Sequence, residues 1–463
     1  MRIESRLRQI VLVLGDLSSY VIGFWLALAI RHFTIPNLDT IIRHVPLFGF
    51  MMGTWLVVNY INGLYDLTKI TDKKILYRRI LETSIIALLV GVVFFYIIPN
   101  QAITPKRILV LTAVFGYSVS TILRVIIFKY IGITKLTVNC MFVGVCKETV
   151  ELVKKIETQK EKGYIVKAII DPEKVLDKAE YPGIAIYHSV SAVRPAITNH
   201  QINVVIVNTE IQKNEDIMRE LYELLFWPVH ITQLPVFYES ITGRISPSTF
   251  SESWFLQHLS DIHKPVYEKL RVIVDYVAAI IIGAIFLALL LPVSLAIKLT
   301  SKGPIFFIQE RVGKFGRKFK LYKFRSMYVL GPDGSAEENG YQFAKKNDVR
   351  ITSIGRLLRK TRIDELPQVI NLWKHDVTLI GPRPERPQIV EELTRRMSYY
   401  PLRHVVRPGL TGWAVLHQHY ADSHEKSLKK LQFDLFYIKN KSFLLDISII
   451  LKTVNIIFRG LGQ

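Results

Sequence analysis

Apolar residues fall in blocks along this chain, not evenly. Four apolar stretches occupy the first 130 residues, at roughly 10–30, 45–65, 81–99 and 108–128. Each approaches the ~20 residues that a helix needs to cross ~30 Å of hydrocarbon. The pattern predicts a bundle of four transmembrane helices within residues 1–132. The first run is too long for a signal peptide, and no small-residue cleavage site follows it before Arg31. Arg2, Arg6 and Arg8 precede the first run, and Lys69, Lys73, Lys74, Arg78 and Arg79 follow the second. The other two loops offer only Arg31 and Arg43, then Lys106 and Arg107. The positive-inside rule therefore places the N-terminus, and the chain after the fourth span, in the cytoplasm.

Between residues 136 and 240 the pattern changes to short apolar runs alternating with helical stretches. Leu136–Val145, Tyr164–Ile170 and Ile202–Val207 read as buried strands, and Lys147–Glu157 as a helix. The alternation predicts a parallel, Rossmann-like α/β module over 133–245, followed by a linker over 246–265. Its first strand–helix turn is Gly144-Val-Cys146-Lys-Glu-Thr149, where a dinucleotide fingerprint would have glycine at 146 and 149. The expectation is a structural module without a working nucleotide site.

A fifth apolar run, Tyr276–Ile297, has no charge and contains Pro292. Its length suits a full span, but one further crossing would put the basic remainder of the chain outside. A helix over about 268–298 that dips in, breaks at Pro292 and returns resolves the conflict. Proline removes a backbone donor, and a break in lipid is tolerable where protein or water satisfies the freed groups. Beyond it, Gly331–Gly334 signals a turn, and Ser335–Asp348 reads as a loop able to act as a lid. Ile351–Arg362 and Pro367–Trp373 read as short helices, and Phe443–Phe458 as a core or interfacial helix. The expected fold is a four-span α-helical membrane bundle, an α/β module, and a mainly α domain over 266–463.

Composition narrows the class. Half of the 463 residues are hydrophobic and 21% are charged, which excludes a disordered chain. Lys and Arg number 60 against 39 Asp and Glu, a net charge of +21, and residues 301–463 carry 29 cations against 15 acids. Such an excess fits nucleic acid, an anionic bilayer surface or a phosphorylated substrate. Cys140 and Cys146 provide neither a disulfide framework nor zinc spacing.

The densest candidate chemistry is Arg359-Lys-Thr-Arg362-Ile-Asp364-Glu365-Leu-Pro-Gln368. Adjacent carboxylates point in different directions and so take separate tasks. One can attack phosphorus or hold a metal while cations offset its charge, and Mg²⁺ binds through one or two carboxylates plus substrate phosphates. Gly381-Pro-Arg383-Pro-Glu385-Arg-Pro387 projects arginines from a stiff loop, a geometry that grips phosphate. Gln309-Glu-Arg311-Val-Gly313, with Lys323 and Arg325 beyond it, reads as a headgroup-facing basic skirt or as part of a site. Arg407-Pro-Gly-Leu-Thr-Gly-Trp413 allows close backbone approach to a ligand. His417, His419 and His424 match no known metal-ligand spacing.

Taken in order, Gly303–Gly313, Tyr322–Met327, Asp364–Gln368, Gly381–Glu385, Pro408–Ala414 and Asp434–Ile438 resemble the bacterial sugar transferase family. These are polyprenyl-phosphate phosphoglycosyl transferases with one membrane-associated catalytic domain. The front end, with Thr232–Arg244, is similar to the large form, in which four spans and a Rossmann-like domain precede catalysis. The resemblance implies transfer of a hexose 1-phosphate, glucose or galactose, from a UDP-sugar to undecaprenyl phosphate, with UMP leaving. It implies Asp364 as the nucleophile that forms a phosphosugar–enzyme intermediate, Glu365 beside it, and Mg²⁺ at Asp364 on the diphosphate. Arg311, Lys323, Arg325, Arg359, Arg362, Arg383, Glu385 and Arg407 become substrate- or phosphate-binding residues. Arg271 and Asp275 precede the re-entrant helix, with its break at Pro292. The resemblance also implies a homo-oligomer (dimer), the bacterial cytoplasmic membrane with the catalytic domain inside, and no nucleic-acid partner. The sequence departs from the family at Val415 and His375, where relatives usually have Gln and Gly.

Two other classes fit parts of the chain. A nucleotide-sugar redox enzyme or dehydratase would use residues 136–240, but the degraded glycine turn opposes it. A non-catalytic membrane scaffold is opposed by the intact Asp364-Glu365 pair.

Overall fold

A computed structural model describes residues 2–65, 73–97, 106–130, 138–158, 163–208, 210, 215–259, 264–331, 348–418 and 423–458. The predicted lid, Ser335–Asp348, falls almost entirely outside them, as does His419. Contacts divide the chain into two compact units, Met1–Leu234 and Pro235–Gln463.

The first unit opens with four helices, α1 (Arg2–His32), α2 (Leu38–Ile61), α3 (Lys73–Ile97) and α4 (Lys106–Tyr130). Stretches of α1, α2 and α4 are long and apolar enough to cross a membrane. Their core includes Tyr20, Phe48, Trp55, Ala87 and Leu109, and the Trp55 indole N–H donates to the Ala87 carbonyl of α3 at 2.9 Å. Helices α1 and α4 cross closely at two glycines. A Cβ on Gly23 would lie 2.5 Å from the Gly116 nitrogen, the close approach that small residues permit between membrane helices. Inside the bundle, Asp16 pairs with Arg124 at 2.6 Å, both side chains 2% exposed. Ser120 donates to Asp16 Oδ1 at 2.6 Å, and Tyr65 and Asn59 donate to Oδ2 at 2.8 and 2.9 Å. Arg124 Nη1 donates to the Leu64 carbonyl at 2.8 Å.

The α/β module comprises β1 (Val138–Val143), α5 (Lys147–Thr158), β2 (Tyr164–Ile170), β3 (Ala185–Tyr187), α6 (Val193–His200), β4 (Val204–Val207), α7 (Glu215–Glu223) and β5 (His230–Gln233). The strands form one parallel sheet in the order β3-β2-β1-β4-β5. β1 and β4 are apolar throughout the sheet centre because helices cover both faces of such sheets. In the β1–α5 turn, Gly144 adopts φ 91°. The buried Thr149 hydroxyl accepts from Cys146 N and donates to the Gly144 carbonyl, both at 3.3 Å. A side chain thus closes the turn that glycines would leave open.

The second unit continues from α8 (Leu234–Thr242), whose later residues belong to it, into α9 (Glu252–Leu259) and α10 (Pro265–Thr300). It then runs through β6 (Phe306–Val312), β7 (Lys318–Phe324), α11 (Ser353–Thr361), α12 (Val369–Trp373), β8 (Thr378–Ile380), α13 (Pro387–Arg396), β9 (Gly409–Thr411), α14 (Trp413–His417), α15 (His424–Asn440) and α16 (Phe443–Phe458). Residues 246–265, expected as a linker, contain α9, whose Phe255 and Leu259 are buried in this unit's core. Residues 235–245 also pack here: Trp413 donates to the Gly243 carbonyl at 2.8 Å, and Lys439 pairs with Glu239 at 2.8 Å. β6 and β7 form an antiparallel hairpin that the apolar pattern did not predict. Instead of a helix from Pro367, a 3-10 turn spans Ile363–Gln368 before α12, because Pro367 interrupts regular helix.

Helix α10 is continuous through Pro292 to Thr300, so the expected break there is not a termination. Ala279, Phe286, Val293 and Ile297 bury against Leu321, Phe324, Leu358, Val369 and Leu372. Ile280, Leu287, Leu291 and Leu299 on its other face are 60, 69, 79 and 77% exposed. Near its start, Asp275 accepts from the Thr378 hydroxyl at 2.7 Å and from the Leu379 N–H at 2.8 Å. Arg271 donates to the Thr378 hydroxyl at 3.2 Å and to the Ile380 carbonyl.

The bundle network gives a stability prediction. Breaking a buried pair leaves an uncompensated charge and costs ~3–5 kcal/mol, whereas replacing both partners is far milder. Arg124→Met should therefore lower the melting midpoint of the detergent-solubilised protein more than the double variant Asp16→Asn/Arg124→Met does.

Candidate active site

Thr352 starts α11 by accepting the Gly355 N–H at 2.9 Å. Arg362 ends it with φ 61°, the left-handed conformation that commonly closes a helix. The chain then tightens into the 3-10 turn that carries Asp364 and Glu365. Successive residues there are ~120° apart, which separates the two carboxylates.

Glu365 meets cations from three directions. Arg383 Nη2, from the loop after β8, lies 2.6 Å from Glu365 Oε1, and Lys323 Nζ, on β7, lies 3.1 Å from the same oxygen. Arg362 Nη1 lies 3.7 Å from Oε2. Burial alone would raise the Glu365 carboxyl, but Arg383, Lys323 and Arg362 hold it well below the usual range. Asp364 is in the opposite condition. It is 8% exposed, and its Oδ1 is buried without a hydrogen-bond partner. Burial, with the Glu365 charge second, pushes its carboxyl up to about 6 against the pull of Lys323, Arg359 and Arg362. Lys323 is pushed down chiefly by burial, with Arg383 and Arg311 adding to it against Glu365.

A second cluster adjoins the first through the Gly381–Glu385 loop. Glu385 contacts Lys430 Nζ, with Arg403 Nη1 at 3.7 Å and Arg311 Nη1 at 3.9 Å. These cations hold its carboxyl down at about 2 despite burial. Arg311 also donates to the Pro384 carbonyl at 3.2 Å. The loop is backed by β9 at very short range: a Cβ on Gly409 would lie 2.0 Å from the Gly381 nitrogen.

Of the residues singled out from sequence, the structure brings Asp364, Glu365, Lys323, Arg362 and Arg383 together, with the Arg359 charge acting on Asp364. Arg311 and Glu385 form the adjoining cluster. Arg325 lies elsewhere: it is 3% exposed and donates to the Ser301 carbonyl at 2.9 Å and to the Lys302 carbonyl. It closes the C-terminal end of α10, where a cation complements the helix dipole. Arg271 and Asp275 hold β8, and half-buried Arg407 precedes β9. Arg403 and Lys430 were not singled out from sequence. The only signal near them was Asp434 in its motif, whose Oδ2 lies 2.7 Å from Arg403 Nη2.

The arrangement suits phosphate. Arg383, Lys323 and Arg362 can hold an anion, and Asp364 offers an oxygen free of donors. Glu365 is committed to its cations, so Asp364 is the carboxylate available to a metal. Among the described residues no group of three His, Cys, Asp or Glu could hold one.

Fold and site together define a protein with membrane-type helices and a mainly helical domain that holds a cationic cluster around two adjacent carboxylates. A family model for bacterial sugar transferases matches residues 266–460, and one for a CoA-binding domain matches residues 60–235. A UDP-N-acetylgalactosamine-undecaprenyl-phosphate N-acetylgalactosaminephosphotransferase of Aeromonas hydrophila is 42% identical over 234 residues, 50% of this chain and 52% of that protein. A UDP-glucose:undecaprenyl-phosphate glucose-1-phosphate transferase of Xanthomonas campestris is 31% identical over 271 residues, 58% of this chain and 54% of that protein. The chain thus spans about half the length of these curated relatives. The uncharacterized sugar transferase EpsL of Bacillus subtilis is 36% identical over 196 residues, 42% of this chain and 91% of the relative. The chain belongs to the bacterial sugar transferase family.

The Asp364 carboxyl should titrate near pH 6 by difference infrared spectroscopy of the folded protein. In Glu365→Gln the like charge is gone, so the same band should titrate at lower pH; an unchanged midpoint contradicts the coupling.

Proposed function

We propose that this protein is a membrane-bound phosphoglycosyl transferase that moves a hexose 1-phosphate from a UDP-sugar to undecaprenyl phosphate. The observation that carries the reading is Asp364: a buried carboxyl with one donor-free oxygen, beside a carboxylate already committed to three cations. An Asp364 oxygen attacks the phosphorus that bears the sugar. The bond from that phosphorus to the bridging oxygen breaks, and UMP leaves with the oxygen. An oxygen of undecaprenyl phosphate then attacks the aspartyl-bound phosphorus, which frees the carboxylate and yields the lipid diphosphate sugar. Arg383, Lys323 and Arg362 position the diphosphate and offset charge that builds in the transition state, the main requirements of phosphoryl transfer. Mg²⁺, when bound with Asp364 and the diphosphate, supplies further charge neutralisation. The names of the relatives above specify UDP-N-acetylgalactosamine and UDP-glucose, which supports a UDP-sugar as the donor.

Packing along α10 supports a re-entrant placement. From Arg271 to Ile297 the helix touches one domain. That stretch spans about 40 Å at 1.5 Å per residue, more than the ~30 Å hydrocarbon core. A crossing would draw the charged domain through the bilayer, whereas a shallow entry leaves its exposed leucines in lipid. A UDP-sugar is cytosolic, so the domain faces the cytoplasm.

Asp364→Asn should abolish UMP release from UDP-hexose with undecaprenyl phosphate present, and should not trap labelled hexose phosphate on the protein; retained turnover removes Asp364 as nucleophile. Arg383→Ala should slow turnover by ~10²-fold or more, and a loss under threefold contradicts its role. The acid limb of the rate profile should fall near pH 6, because the nucleophile works deprotonated and activity is lost as the pH drops through its raised value. With Cys140 and Cys146 replaced, a cysteine at Glu425 should label only from the cytoplasmic side; labelling from outside shows that α10 crosses.

A further inference from the structure

The tip of the β6–β7 hairpin, α13 and the 3-10 turn Tyr400–Val405 enclose a cavity of about 460 Å³, a size that suits a small-molecule ligand. Val312, Pro387, Val390, Pro401 and Val405 give it apolar walls. Three features distinguish it from a packing gap. Phe315 lines it while 66% exposed, and its backbone has φ 56°. The left-handed conformation is strained for a bulky residue, and such strain gathers at ligand clamps. An aromatic ring thus stands open at the cavity instead of packing into a core. His404 also lines it, is 8% exposed, and its Nε2 has no hydrogen-bond partner. Burial, with the Arg403 charge second, pushes its imidazole down to about 3, so the ring is neutral, with one donor and one acceptor nitrogen. Lys318 on the wall, with Lys314 and Arg317 in the same turn, makes the rim cationic. The acid on the wall, Glu391, is paired with Arg395.

The cavity adjoins the Glu385 cluster. The Val312 N–H donates to the Glu385 carbonyl at 2.9 Å, and His404 follows Arg403, which stands 3.7 Å from Glu385. Lys318 at the cavity and Lys323 at Glu365 share β7, ~17 Å apart at ~3.4 Å per residue. An extended uridine diphosphate, met by the Lys323 side chain, covers that distance. The opposite end of the hairpin meets α10: Phe324 lies 5.5 Å from Phe306 and 5.8 Å from Phe286, ring centre to ring centre. A lipid substrate approaches along α10, which leaves the hairpin tip to the water-soluble one.

We propose that this cavity holds the uridine of the UDP-sugar, with the uracil ring against Phe315, its polar edge toward His404, and the diphosphate leading to Lys323 and Arg383. The inference rests on the phosphoglycosyl transferase reading and deepens it by placing the donor's nucleoside. Either tautomer of His404 serves, because the edge of uracil carries an N–H donor between two carbonyl acceptors. A flat base buries its faces against valine and proline and stacks on the phenylalanine. A hexose ring would leave hydroxyls against those walls without hydrogen-bond partners.

The probe is UMP, which carries the uridine but neither sugar nor lipid, titrated calorimetrically into the detergent-solubilised full chain. Phe315→Ala changes an exposed side chain and should weaken UMP binding ~10-fold. It should raise the UDP-hexose KM by a similar factor, with kcat and the undecaprenyl-phosphate KM moving far less. Val390→Trp, which fills the cavity, should abolish UMP binding. Ribose 5-phosphate, which lacks the base, should bind wild-type protein and Phe315→Ala alike. A second measurement needs no variant: irradiated with 5-iodo-UMP, the wild-type chain should be labelled on the peptide holding Phe315 or on that holding His404, and excess UMP should suppress the label. Label confined to α10 or to the Asp364 turn overturns the proposal, as does a UMP affinity that Phe315→Ala leaves unchanged. A Phe315→Ala effect on the undecaprenyl-phosphate KM alone also overturns it, by giving the cavity to the lipid. If the wild-type chain turns over UDP-hexose while UMP binding ignores both variants, the cavity assignment fails and the transferase reading stands. If UMP binds and labels the cavity but no UDP-hexose releases UMP, the transferase reading fails and the nucleotide site stands.

Discussion

The contact between Arg383 and Glu365, at 2.6 Å, sets the chemistry of everything near it. Two carboxylates on consecutive residues in a buried turn cannot both ionise cheaply, because each opposes the other's charge. The cations at hand are not shared evenly. Arg383, Lys323 and Arg362 converge on Glu365, so its charge is strongly favoured. Asp364 receives weaker, more distant compensation and bears the larger penalty. One residue becomes a fixed anion and its neighbour a carboxyl poised near neutral pH. Pairs driven apart by their surroundings are where acid–base and nucleophilic roles separate.

Holding that asymmetry requires the Gly381–Glu385 loop to be rigid, and the fold secures it from several sides. Asp275 and Arg271 of α10 bind β8, the strand that leads into the loop. β9 presses against the loop where glycines leave no room for a side chain. Arg311 and Arg403 donate to its carbonyls at Pro384 and Arg383. The helix that would enter the bilayer and the loop that would hold phosphate are therefore joined through one three-residue strand. Few of these anchors are adjacent in sequence.

Such dispersal governs how much could be read from the chain alone. Apolar blocks and strand–helix alternation carry local information, and they foretold the helical bundle and the parallel sheet. The Asp364-Glu365 pair and the arginine-bearing loop were visible because their chemistry is compressed into short segments. The hairpin of β6 and β7 was not, since its charged positions alternate weakly along the two strands. Arg325 sits in a basic run identical in character to that of Lys323, yet one caps α10 and the other faces Glu365. Strand alternation would put the two on one face, but β7 ends at Phe324, so Arg325 lies past the strand and turns to the end of α10 instead. Arg403 was silent for a similar reason. A single arginine in an ordinary turn declares nothing until Asp434, from another helix, is seen beside it.

The two units treat a buried carboxylate in opposite ways, and the contrast argues for function in one of them. Asp16, inside the helical bundle, receives hydrogen bonds or ion pairs from Arg124, Asn59, Tyr65 and Ser120, with both oxygens occupied. Such satisfaction is what stability demands of a polar group removed from water. Asp364 is almost as deeply buried, and one of its oxygens has no donor although cations stand close enough to serve Glu365. A turn that instead concentrates them on one carboxylate leaves the other with its carboxyl raised by burial and by its neighbour's charge, and with a buried oxygen that no donor reaches.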